Sequence, residues 1–194
     1  MAYERLSKNT TNRLQKFGLA GLVASGDRPS IRTVTKQLRD TQPSPENDMV
    51  VSSLAGLRAS DPEVVRAIGQ FAVSYGNPAV VQSLTYALYA VHTKDALSFL
   101  YKLLSNGDKL VKEWAVMGFS AFVTGMRIGE DGLDMSEALD EVMNPGKRAT
   151  TPPSRYDTEE TRQYVHFGPF PRADAADKYV TFWKRWFERN QQVL

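Results

Sequence analysis

The amino-acid sequence predicts an all-α protein: an antiparallel bundle of about eight helices, an extended linker and an aromatic C-terminal helix. Three observations predict it. Apolar residues return at helical spacing in one segment after another between Leu14 and Phe122. Several of those segments open on Ser, Thr, Asp or Asn, some followed directly by proline, as helix N-termini do. The middle of the chain shows none of the apolar–polar alternation of a strand.

Near the start, Ser7, Asn9 and Thr10 offer caps for a helix that carries Leu14, Phe17 and Leu22 and stops at Ser25-Gly26. After the turn at 26–29, Ser30 is expected to cap a short amphipathic helix with Ile31, Val34 and Leu38 along one side. Pro43 and Pro45 interrupt the helical pattern, and Ser44-Pro45 fits the start of a helix with Val50, Val51, Leu54 and Leu57. Ser60-Asp61-Pro62-Glu63 reads as a capping box with a first-turn proline, before Val64, Val65, Ile68, Phe71, Ala72 and Tyr75.

Asn77-Pro78 opens the next helix, Thr93 caps another with Leu97, Leu100, Leu103 and Leu104, and Asp108 a fourth with Val111, Trp114, Phe119 and Phe122. These starts are separated by very short turns, which forces antiparallel hairpins. The pair DPEVVRAIGQFAVSYG and NPAVVQSLTYALYAV resembles a HEAT-type hairpin, and 94–125 fits a second. Beyond Gly125, a loop at 129–132 and a short helix with Leu139 and Val142 are expected before Asn144-Pro145-Gly146. Residues 1–146 are therefore read as a helical core, 147–158 as a Pro-rich linker and 159–194 as a C-terminal arm. Asp157 at the end of the linker and Glu160 are expected to form a capping box, and 168–171 a rigid turn.

With 194 residues, 42% hydrophobic and 24% charged, the chain has enough apolar material for a packed core, which excludes global disorder. No apolar run approaches the roughly 18 residues of a membrane span, so no membrane partner is expected. Cysteine is absent. That excludes disulfides, thiolate metal sites and a cysteine nucleophile, and fits a reducing intracellular compartment or a virion. His92 and His166 are the two histidines, and no glycine loop has the spacing to cradle a phosphate. Glu130, Asp131 and Asp134 lack the spacing of a calcium loop. No catalytic residue, metal site or cofactor is expected, and the chain is read as a non-enzyme.

The net charge of +2 conceals a segregation. Residues 1–60 carry nine Lys/Arg against five Asp/Glu, 61–146 carry six against eleven, and 147–194 carry nine against six. Basic ends around an acidic middle fit a polyanion partner or head-to-tail self-association.

Two clusters carry the functional expectation. The first is the segment 21–40, two short helices with a glycine turn, which resembles a helix-turn-helix. Arg32, Lys36 and Arg39 cluster about 130° from the apolar stripe by the 3.6-residue period. With Arg28 in the turn and Arg13 and Lys16 on the preceding helix, they are the expected nucleic-acid contacts. The second is the C-terminal helix with Tyr179, Phe182, Trp183, Trp186 and Phe187. These rings are expected to dock on a neighbouring subunit; packing on the chain's own core is the competing reading, and base stacking or an interfacial membrane helix are further alternatives.

Together these features predict a self-assembling structural protein that packages nucleic acid non-specifically, as viral coat or nucleocapsid subunits do, RNA in preference to DNA, as a homo-oligomer or polymer. The alternative is a helix-turn-helix DNA-binding regulator with a dimerising helical body. A protein-interaction scaffold that binds no nucleic acid is a third, plainer reading.

Overall fold

In the computed structural model, residues 2–8, 12–40, 51, 53–54, 59–75, 77–125, 154–170 and 174–194 are described. Helix formation follows the caps. Asn77 accepts the Ala79 N–H (3.1 Å), Thr93 that of Ala96 (3.3 Å) and Asp108 that of Val111 (3.0 Å), each as the sequence predicts. Each bond satisfies an amide that has no partner within its own helix.

The helices among the described residues are α1 (Ala2–Ser7), α2 (Asn12–Ala24), α3 (Arg28–Asp40), α4 (Pro62–Ser74), α5 (Pro78–Ala90), α6 (Lys94–Leu103), α7 (Lys109–Thr124), α8 (Glu159–Arg162) and α9 (Asp177–Asn190). A 3-10 turn at Asp174–Ala176 leads into α9. No described residue is in a strand, so the protein is all-α. The expected helix near 139–142 and the first part of the linker, 147–153, lie outside the described residues.

Three caps differ from the sequence expectation. α3 begins at Arg28, capped by Asp27, so Pro29 occupies the first turn, where its missing N–H costs nothing. Asp61 caps α4 by accepting the Glu63 N–H at 2.9 Å, in place of the Ser60 box. Thr158 and Thr161 form the capping box of α8, in place of Asp157 and Glu160. Asp157 instead pairs with Arg162 (2.8 Å), which holds its carboxyl below the usual carboxylate range.

The six-residue α1 has no periodic signature and was not expected from sequence. It packs closely on α2 because Gly18 and Gly21 have no Cβ: one at Gly18 would overlap Leu6 and Ser7, and one at Gly21 would overlap the Tyr3 ring.

The helices α4 to α7 form two hairpins that pack together, α4 against α6 and α5 against α7. Gly69 of α4 lies under the Phe99 ring of α6, which allows that crossing. Ile68, Leu84, Leu88, Leu97, Leu100 and Phe119 fill the space between the hairpins.

The C-terminal segment closes over this body. Extended residues 166–170 lie along α7, where polar side chains bind their backbone. Ser120 accepts the His166 N–H (3.0 Å), and Glu113 accepts the Phe170 N–H (2.8 Å). Lys109 donates to the Phe170 carbonyl (2.6 Å). The Trp183 ring of α9 then stacks on Phe119 with centroids 5.5 Å apart. Residues 154–158, read as the end of an extended linker, form a turn in which the Asp157 N–H donates to the Ser154 carbonyl (2.9 Å). Tyr156 of that turn packs on Phe122 and Trp186.

Trp183 is 0% exposed and spans the junction of α7 and α9. Trp183→Ala should cost about 3–5 kcal/mol of folding stability. Urea denaturation followed by far-ultraviolet circular dichroism measures it, and an unchanged midpoint would contradict the packing described.

Candidate nucleic-acid interface

The interface is built on the α2–α3 pair. At the end of α2, the Gly26 N–H donates to the Val23 carbonyl (3.0 Å) and the Asp27 N–H to the Leu22 carbonyl (3.0 Å). Gly26 has φ +86°, a left-handed conformation that glycine adopts without the Cβ penalty. Asp27 then accepts the Ser30 N–H at 2.9 Å. The hydrogen bonds from the Ser30 side chain and N–H hold the Asp27 carboxyl below its ordinary range, with a further contribution from nearby Arg32.

Along α3 the two faces separate cleanly. Ile31, Val34 and Leu38 are buried, and α3 packs against α2 and α4. Thr35 is buried beside them but satisfied, its hydroxyl donating to the Ile31 carbonyl at 2.9 Å. Arg32, Lys36 and Arg39 are exposed, as the period predicts. From Arg28 to Arg39 the ridge is about 16 Å long at 1.5 Å per residue. Residues 28–39 include neither Asp nor Glu, and no aromatic side chain.

The predicted contacts are not all brought together. Arg28 is exposed, but its guanidinium pairs with Asp61 of the α4 cap at 3.3 Å. Lys16 is only 9% exposed and belongs to the buried side of α2, so it is not part of the ridge. The expectation for Lys16 is corrected: it is buried along with Gly18, Ala20, Gly21 and Val23 of the same helix. Arg13 lies on α2, and its side chain is outside the described residues.

The aromatic residues expected to dock on a neighbour lie in the chain's own core. Trp186 is 4% exposed, Phe187 6% and Phe182 9%. Phe182 stacks on Tyr164 at 3.8 Å, and Phe187 on Tyr101 at 4.8 Å. Tyr179, half-buried, meets the rings of Tyr164, His166 and Phe170. Of the two readings of this helix, the rings follow packing on the chain's own core, where intramolecular stacking covers them.

Sequence reasoning missed Asp27 and Asp61, the two acids that shape the ridge: one starts α3 and the other restrains Arg28. The Asp27–Ser30 spacing of a side-chain cap was the available signal. Among the described residues, no group of three His, Asp or Glu is placed to hold a metal ion. No helix among them is long and apolar enough to cross a membrane. Comparison with protein families, curated proteins and solved structures finds no match for this chain.

The lowered Asp27 pKa sets a sign. Folding favours the charged carboxylate, so the cap's contribution is complete above the ordinary carboxylate pKa and is lost as pH falls through the lowered folded value. Asp27→Asn should flatten the acid limb of the melting temperature plotted against pH. An acid limb identical to wild type would assign the acid sensitivity elsewhere.

Proposed function

We propose that this chain binds nucleic-acid phosphates non-specifically through the α3 ridge, as a packaging subunit with RNA as its polyanion. The observation that carries the reading is the division of α3 into a buried apolar stripe and an exposed face with Arg32, Lys36 and Arg39. Cations held on a rigid helix gain affinity for a polyanion by releasing its counterions, whatever the sequence. The absence of an aromatic platform on residues 28–39 favours phosphate contact over base stacking.

A helix-turn-helix reading has its own support in the left-handed turn at Gly26 between α2 and α3. It differs in requiring side chains that discriminate base edges.

Fluorescence anisotropy with labelled single-stranded RNA and duplex DNA of mixed sequence tests the proposal. The triple variant R32E/K36E/R39E should retain its helical circular dichroism, since all three side chains are exposed. Its affinity for single-stranded RNA should collapse, and the slope of log K against log salt should shrink by about 2, at about 0.7 per lost contact. Unchanged binding overturns the assignment of the ridge. A preference confined to particular duplex sequences supports the regulator instead.

A further inference from the structure

We infer, resting on the reading of α3 as a phosphate-binding ridge, that a single strand of nucleic acid crosses the layer α3–α4–α6, with Arg66 and Lys102 as further phosphate contacts. In that layer α3 packs on α4 and α4 on α6. Arg28 of α3 meets Asp61 at the start of α4 (3.3 Å), and Arg66 of α4 meets Asp95 in the first turn of α6 (3.7 Å). These pairs join the start of each helix to the start of the next. Further along, Gly69 of α4 lies under the Phe99 ring of α6, so these two helices run in the same sense.

The layer separates its charges by turn. The acids of α4 and α6 are Asp61, Glu63 and Asp95, at the cap or in the first turn, and Asp61 and Asp95 already meet arginines. Residues 29–39, 64–74 and 96–103 include neither Asp nor Glu. Their exposed charges are Arg32, Lys36 and Arg39 on α3, Arg66 on α4 and Lys102 on α6. By the 3.6-residue period Asp95 and Lys102 lie within about 20° of each other, so Lys102 faces the side of α6 that Arg66 reaches. Its Nζ is 5.2 Å from the centre of the Phe99 ring, and that ring covers Gly69, so the ammonium leans over the seam between α6 and α4.

With neighbouring axes about 8–10 Å apart, the layer measures about 16–20 Å from α3 to α6. A strand that crosses it meets a cation on every helix, whereas a strand along α3 leaves that helix after one ridge length. The Arg66–Asp95 pair is half-exposed on both sides, and such a pair contributes little, so a phosphate competes with Asp95 for the guanidinium. On the other flank of α6 the Tyr101 hydroxyl donates to Glu188 of α9 at 2.7 Å. That carboxylate sets a negative charge beside α6 and ends the path there.

Fluorescence anisotropy with labelled single-stranded RNA of mixed sequence, read as log K against log salt, tests the inference. In R66Q/K102Q the slope should shrink by about 1.4, at about 0.7 per lost contact. K102Q alone, which leaves the Arg66–Asp95 pair intact, should shrink it by about 0.7. K178Q/R185Q removes the same charge from α9, where Asp177 and Glu188 stand beside it, and should keep the wild-type slope. Circular dichroism checks that each variant is folded. An unchanged slope in R66Q/K102Q and K102Q, with the α3 triple variant defective, overturns the inference and leaves the α3 ridge standing. Equal losses in R66Q/K102Q and K178Q/R185Q would report net charge alone and overturn it as well. A wild type without affinity for RNA removes the reading of α3 and this inference with it.

Discussion

The C-terminal third of the described structure depends on polar side chains of one helix binding the backbone of an extended strand of chain. Glu113 and Ser120 of α7 are buried, and with Lys109 they satisfy the His166 and Phe170 backbone groups. An extended segment without a sheet partner leaves amides and carbonyls that cost free energy if buried unpaired. Here α7 supplies the missing partners. The Lys109–Glu113 pair, 3.5 Å apart, also balances the charge of a carboxylate that is otherwise enclosed.

That attachment determines what α9 can do. With 166–170 fastened to α7, α9 lies across α6 and α7, and its rings enter the common core. Trp183, Trp186 and Phe187 meet Phe119 in stacked and edge-on arrangements that anchor one helix on the other. The aromatic side is thereby committed within the chain, and the charged side of the same helix is the one left facing outward. A helix that looked in sequence like a docking arm through its rings presents its ions instead.

Two surfaces then differ in kind. On α3, residues 28–39 offer cations unmixed with acids, which suits a repeating anion and carries no pairing information. On α9, Asp177 and Glu188 stand among Lys178, Arg185 and Arg189, so the exposed face carries both signs.

The helical class, the hairpin order of α4–α7 and the outward cations of α3 were legible from sequence alone, because caps and the 3.6-residue period are local: Asn77, Thr93 and Asp108 announce their helices within three residues. The α1 helix was illegible for the complementary reason, since six residues carry no period and it is held by Gly18 and Gly21 of α2. Lys16 and the rings of α9 show the same limit: periodicity identifies an apolar face but not the surface that covers it. Only the tertiary structure decided that Lys16 points inward, that Arg28 is restrained by Asp61, and that α9 closes on its own core. Each of those outcomes rests on residues distant in sequence, such as Glu113 and Phe170 at 57 positions apart, and a contact of that range leaves no local pattern to read.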